Sequence, residues 1–152
     1  MERIISDSSE AKAGVRALKE LVGGTMGPYG FNVMPFAQNI SQVFRDGFKV
    51  ITTYVPDEVI RLNMVQRLRD AASMTHLLAG DGTSTTTVFL ATLYLTALAE
   101  IEDSEARGVK VMRRLVAEKV TMLLTKMVEE LEKMAVKDIG DDVLTKVATL
   151  AA

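Results

Sequence analysis

Apolar positions Ala13, Val15, Leu18, Leu21 and Val22 return at helical spacing over about residues 9–22, behind a serine-rich start that can supply a cap. This predicts a first helix that stops at Gly23-Gly24. The glycines and the proline of Gly23-Gly24-Thr25-Met26-Gly27-Pro28-Tyr29-Gly30 then forbid a helix and favour a tight loop with exposed backbone. Residues 31–34 and 41–45 read as two short strands, Pro35 placing the first at a sheet edge or strand end, and Arg45-Asp46-Gly47 reads as the turn after the second. Pro56 reads as the first-turn proline of a helix over about 57–78, with Leu62, Val65, Leu68 and Ala72 on one stripe. A partner helix is expected to begin just after the Gly80 motif and to run to about residue 100. A third long helix, over about 109–134, carries Met112, Val116, Val120, Leu123, Met127, Leu131 and Met134 at three- and four-residue steps, a seam that wants a neighbour. Val143, Val147 and Leu150 predict a last short helix, and the apolar ending Ala151-Ala152, without a capping glycine, reads as a cut. The chain is thus mainly α, with one small β-hairpin.

One segment resists this pattern. Gly80-Asp81-Gly82 is followed by Thr83, Ser84, Thr85, Thr86 and Thr87, which oppose a helix by several tenths of a kcal/mol each relative to Ala. Something must compensate. A helix N-terminus offers unpaired N–H groups and the positive end of the macrodipole, and glycine lets a ligand approach that backbone. Hydroxyl donors added there make an anion cradle. A carboxylate beside a phosphate is repelled unless a cation lies between them, and Mg²⁺, which takes few protein carboxylates and shares its other positions with water and phosphate, resolves Asp81. The alternative is that Asp81 caps the helix while the hydroxyls bond back to the preceding turn. The segment alone leaves these two readings level. No P-loop is present, and a dinucleotide fingerprint fails for want of a third glycine and a preceding strand.

Composition narrows the classes. At 152 residues and 48% hydrophobic content the chain suits one soluble domain, and with no cysteine it has no disulfide, thiolate nucleophile or cysteine-held zinc. Eighteen basic against twenty acidic residues, with five Phe and three Tyr, give little support for a nucleic-acid groove. The opening MERIISDSSE lacks the apolar core of a signal peptide, and the longest apolar stretch, 88–99, is broken by Thr92 and Thr96 and falls short of the roughly 20 residues of a membrane span. His76, the sole histidine, is expected to be packed or solvated rather than a base, and the methionines, including Met112, Met122, Met127 and Met134, to fill gaps between helices.

Taken together, the motifs resemble those of the group I chaperonins, the bacterial and mitochondrial type. Thr25-Met26-Gly27-Pro28-Tyr29-Gly30-Phe31-Asn32-Val33 is similar to that family's Thr-Leu-Gly-Pro-Lys-Gly-Arg-Asn-Val loop; Arg45-Asp46-Gly47 stands where the family has Lys-Asp-Gly; Gly80-Asp81-Gly82-Thr83-Ser84-Thr85 resembles Gly-Asp-Gly-Thr-Thr-Thr. Val147-Ala148-Thr149-Leu150-Ala151-Ala152 resembles a segment that follows at about this distance. Tyr29 and Phe31 replace two basic positions, and residues 36–44 match poorly, which marks a divergent member.

The resemblance implies a multihelical half of an ATP-binding equatorial domain over residues 1–135 and the start of a hinge-like intermediate domain over 136–152. It implies ATP and Mg²⁺ as cofactors. Thr25, Met26, Gly27 and Pro28 would contact the nucleotide, Asp81 would hold the magnesium, and Gly82, Thr83, Ser84 and Thr85 would hold phosphate oxygens. Asp46 would be the catalytic residue near the γ-phosphate, although a turn-forming Asp before Gly reads almost as well, and Arg45 would approach the phosphates in place of a lysine. The whole protein would be a cytoplasmic ATPase that folds unfolded protein clients as a homo-oligomeric double ring, with a co-chaperonin as a candidate partner, and without nucleic acid or membrane. The family's main catalytic aspartate lies on a returning half of the domain, so residues 1–152 alone are expected to be inactive. Two rivals stand beside this reading: an isolated or degenerate helical module that binds nucleotide or a partner without hydrolysis, and a structural assembly protein in which Gly-Asp-Gly-Thr is only a cap.

Overall fold

A computed structural model of the chain describes residues 8–34, 43–56 and 59–134. Five helices follow in order: α1 (Ser8–Gly24), α2 (Gly47–Thr53), α3 (Val59–Ala79), α4 (Thr83–Ala106) and α5 (Arg113–Met134). Among the described residues the β structure is a single antiparallel bridge, Val33 with Phe44, and the rest of the expected hairpin, residues 35–42, lies outside them. The chain divides into two compact units, Met1–Asp103 and Ser104–Ala152.

In the first unit the apolar periodicity acts as expected. Ala11, Val15, Leu18 and Val22 fall on one face of α1 and are buried, and they share a core with Val65, Leu68 and Ala72 of α3 and Ala91 of α4. A Cβ built on Gly14 would lie 2.9 Å from Arg61 Cβ, so the two helix backbones approach closely there. Leu62, the first residue of the expected α3 stripe, lies outside the described side chains. Helix α2 was not legible in the sequence. Its glycine start and β-branched Val50, Ile51, Thr52 and Thr53 are poor helix formers. Full burial of Val50 and Ile51 decides the matter, and the Arg69 guanidinium of α3 donates to Ile51 O (3.2 Å) and Tyr54 O (2.7 Å), satisfying carbonyls at the helix end.

Helix α4 starts on the hydroxyl run itself and extends six residues beyond the expected end, to Ala106. By length and composition it is therefore long and apolar enough to cross a membrane, which corrects the shorter span read from residues 88–99. In this fold Ala91 lies in the core, with Val88, Leu90, Tyr94 and Leu95 packed against it. Burial raises the Tyr94 phenol above its ordinary value, and the nearby Lys12 charge works in the opposite direction. A pKa raised in the folded state favours the neutral phenol there, so this stabilisation is fully present below the ordinary tyrosine pKa and is lost as pH rises through the folded value. Above about pH 10 the unfolding midpoint of the native chain should fall faster than that of Tyr94→Phe, as read by denaturant titration at several pH values.

In the second unit, Gly108 (φ 78) closes α4 with two backbone bonds, Gly108 N to Glu105 O and Val109 N to Ser104 O, each 3.0 Å. This cap delays α5 to Arg113, four residues after the expected start. The seam is present along α5, yet Met112, Leu123, Met127, Leu131 and Met134 are all exposed. The expectation that Met112, Met122, Met127 and Met134 fill gaps between helices is therefore corrected: among the described residues of this unit no second helix faces them. The expected helix over 141–150 and the expected hinge from residue 136 lie outside the described residues.

Candidate functional site

The first loop is built by its own backbone. Thr25, buried at the end of α1, donates both N–H (3.1 Å) and hydroxyl (2.7 Å) to Val22 O. Gly27 takes φ 79, Gly30 N returns to Gly27 O (3.1 Å), and Phe31 N returns to Gly24 O (2.6 Å). Gly30 cannot be another residue without moving the chain, because a Cβ there would lie 2.2 Å from Thr25 O. Met26 and Pro28 are exposed on this loop, and Tyr29 and Phe31, at 92% and 74% exposure, stand out into solvent.

The turn reaches that loop by two routes. Val33 and Phe44 exchange N–H to O bonds of 2.7 Å each, and Arg45 Nη2 donates to Pro28 O (3.2 Å). Arg45 thus ties loop to turn with at least one of its donors. Asp46 is exposed; its Oδ1 accepts Phe48 N (2.9 Å) and caps α2. The turn-forming reading of Asp46 is realised as a helix cap, which leaves its second oxygen outside this bond.

At the start of α4, Gly80 (φ 74) and Gly82 (φ 79) adopt left-handed backbone, and a Cβ built on either would meet nothing within 4 Å. The first helical bond runs from Thr86 N to Gly82 O (2.9 Å), so among the described residues the N–H groups of Thr83, Ser84 and Thr85 are the unpaired donors of the helix end. The hydroxyls divide. Thr87, fully buried, donates to Thr83 O (2.9 Å), which is the bonding-back alternative, whereas the Thr86 hydroxyl accepts from Thr75 of α3 (3.2 Å). Among the described residues the Thr83, Ser84 and Thr85 hydroxyls make no such bond. Asp81 is exposed and accepts Gly82 N at 2.6 Å. A capping side chain reaches the second or third N–H of its helix, and Asp81 instead binds the N–H immediately after it, ahead of the helix.

Gly47 joins the three segments. It is buried, and a Cβ there would fall 2.0 Å from Ser84 Oγ and 3.1 Å from Thr25 Oγ1. The backbone of the turn is therefore pressed against both the first loop and the hydroxyl run. All the sequence-derived site residues belong to these three segments: Thr25, Met26, Gly27 and Pro28 in the loop, Arg45 and Asp46 in the turn, Asp81, Gly82, Thr83, Ser84 and Thr85 at the helix start. Sequence reasoning missed the α2 cap and the stacking of His76 on Phe48, described below.

The arrangement fits an anionic ligand carrying its own cation. Among the described residues no group of three or more His, Asp or Glu side chains could hold a metal unaided. One exposed carboxylate beside open glycine backbone and free N–H and hydroxyl donors suits Mg²⁺, which draws most of its ligands from water and phosphate.

No protein-family model matches the chain. Chaperonin 60 subunit beta 3 of the Arabidopsis thaliana chloroplast is 36% identical over 142 residues, covering 93% of this chain and 23% of that protein. Chaperonin GroEL of Ehrlichia chaffeensis is 27% identical, covering 91% and 24%. The alpha subunit of the RuBisCO large subunit-binding protein of the Pisum sativum chloroplast is 29% identical, covering 95% and 24%. The chain thus spans about a quarter of the length of these curated relatives. Among solved structures, the chaperonin gp146 from the bacteriophage EL 2 (Pseudomonas aeruginosa), crystallised in the presence of ATP-BeFx, superposes with a TM-score of 0.51 at 24% identity, covering 62% of this chain and 18% of that one. This is a likeness of fold.

Proposed function

We propose, for a chain that belongs to the group I chaperonins as a divergent member corresponding to their N-terminal equatorial portion, that the three-segment site binds ATP with Mg²⁺ and drives a protein-folding ring. The observation that carries this reading is the junction at Gly47, where the loop, the turn and the hydroxyl-rich helix start converge. In the reading, Asp81 supplies the protein carboxylate of the magnesium, Gly82, whose N–H is held by Asp81, leaves open backbone for the phosphates to approach, and Thr83, Ser84 and Thr85 bind phosphate oxygens through N–H and hydroxyl groups at the positive end of a 24-residue helix. Thr25, Met26, Gly27 and Pro28 line the nucleotide, and Arg45 places its charge beside the phosphates from its perch on Pro28 O.

When bound, Mg²⁺ neutralises phosphate charge and orients the γ-phosphoryl group for in-line displacement. The residues of this chain do the rest. The helix N–H groups are already aimed where charge accumulates, and they need no rearrangement during reaction. Asp46, held by its bond to Phe48 N, directs a carboxylate oxygen toward the attacking water. Hydrolysis then serves as a switch that biases domain positions.

Residues 1–135 form half of the ATP-binding domain in this reading and residues 136–152 lead into the hinge. A homo-oligomeric double ring, unfolded clients, a co-chaperonin and a cytoplasmic setting belong to the whole protein. Residues 1–152 alone bind without turning over, since the resemblance places the main catalytic aspartate elsewhere. Calorimetric titration of ATP into the chain tests the reading: heat of binding should appear with Mg²⁺ and vanish with a chelator. Absence of binding under both conditions would favour the structural assembly reading.

A further inference from the structure

We infer that His76 is a positioning residue for Asp46. Its ring lies on the ring of Phe48, with centroids 4.6 Å apart and planes inclined by 20°. Phe48 is the residue whose N–H holds the Asp46 carboxylate, at 2.9 Å. The carbonyl of His76 accepts Gly80 N at 3.0 Å, which closes α3 where the chain enters Gly80-Asp81-Gly82. One residue therefore grips the aspartate turn with its side chain and the magnesium loop with its backbone. The inference rests on the reading of the site given above.

Helix α2 needs such a grip. At seven residues it is too short to stand by its own hydrogen bonds, and its position is set by what it touches. Its far end is clamped by Arg69 on Ile51 O and Tyr54 O, and its middle by the buried Val50 and Ile51. At the near end, Gly47 fixes the distance to Ser84 and Thr25 but, having no side chain, offers no hold against rotation of the turn. The Phe48 ring supplies that hold. It packs partly against the core, and the exposed imidazole of His76 covers it as a flat plate. Offset aromatic stacking of this kind depends on ring planarity and not on a proton, so another aromatic ring at residue 76 can do the same work. Displacement of a catalytic group by about 1 Å costs up to about a hundredfold in rate, whereas the phosphate contacts at Thr83, Ser84 and Thr85 are made from α4, which meets α2 at Gly47 and not at the Phe48 ring.

The test compares steady-state ATP hydrolysis by the full natural chain with that of its variants. His76→Ala should lower kcat by roughly tenfold or more with KM little changed. His76→Phe should restore most of the loss, and His76→Ala should add nothing in an Asp46→Asn background. A rise in KM without loss of kcat, failure of His76→Phe to rescue, or additive losses would each overturn the inference. Independently of turnover, the ring signals of His76 should lie upfield in the native protein and move downfield in Phe48→Leu, and unchanged positions would show that the stack is not made. If Asp46→Asn itself leaves kcat unaltered, the role given to Asp46 falls and this inference falls with it. If Asp46→Asn is slow and His76→Ala is not, His76 alone has been misassigned.

Discussion

Asp81→Ala weakens ATP binding in the presence of Mg²⁺ by on the order of a hundredfold or more and removes the dependence on the metal. The side chain is exposed, and its recorded bond is to the adjacent Gly82 N–H, so its loss leaves no buried group unpaired. The unfolding free energy should therefore stay within about 0.5 kcal/mol of that of the native chain. This pairing separates the two readings of the segment. A helix cap replaced by alanine costs about 1 kcal/mol of stability, and its loss would not make ATP binding indifferent to a chelator. Titration calorimetry with and without Mg²⁺, alongside urea unfolding, reads both quantities on one pair of proteins.

The second large effect falls on turnover. In the full natural chain, Asp46→Asn should lower kcat by roughly 10²- to 10⁴-fold, the range for loss of a positioned proton acceptor, while Mg²⁺-ATP binding persists. Asparagine is chosen because it caps a helix about as well as aspartate, so α2 keeps its N-terminal bond to Phe48 N. Asp46→Ala would mix the chemical loss with about 1 kcal/mol from the missing cap. Phosphate release under saturating ATP measures the difference, and a kcat equal to that of the native chain would reduce Asp46 to its capping role.

Much of the fold is written in periodicity. The spacing of Val15, Leu18 and Val22, and of Val65, Leu68 and Ala72, marks α1 and α3 because each stripe is buried against a neighbour. Helix α2 is absent from that pattern because its cause is tertiary: Val50 and Ile51 go into a core built by other segments, and Arg69, distant in sequence, satisfies the helix end. The late start of α5 follows from the left-handed Gly108, whose cap the hydrophobic seam does not reveal. The seam itself was legible, and among the described residues of its unit no second helix covers it.

The site was legible as motifs and not as a site. Glycines, hydroxyls and two aspartates pointed to phosphate chemistry at residues 25–30, 45–47 and 80–85. Nothing in their order along the chain reveals that Gly47 must be glycine because Ser84 and Thr25 press on it, or that the Gly30 backbone lies against Thr25 O. His76 read as a packed or solvated side chain, which describes its exposure but not its partner. A ring stacked across two helices leaves no signature in sequence, since Phe48 and His76 are brought together only by the fold.

The proposed site places a metal-bound triphosphate on Asp81 and the first turn of α4. A crystal structure with Mn²⁺ and a non-hydrolysable ATP analogue tests it most directly, because manganese scatters anomalously and takes the place of magnesium. An anomalous peak is expected at about 2.1 Å from an Asp81 carboxylate oxygen, with phosphate oxygens on the N–H groups of Thr83, Ser84 and Thr85. A manganese peak away from Asp81, or phosphates seated elsewhere with the helix start empty, would contradict it.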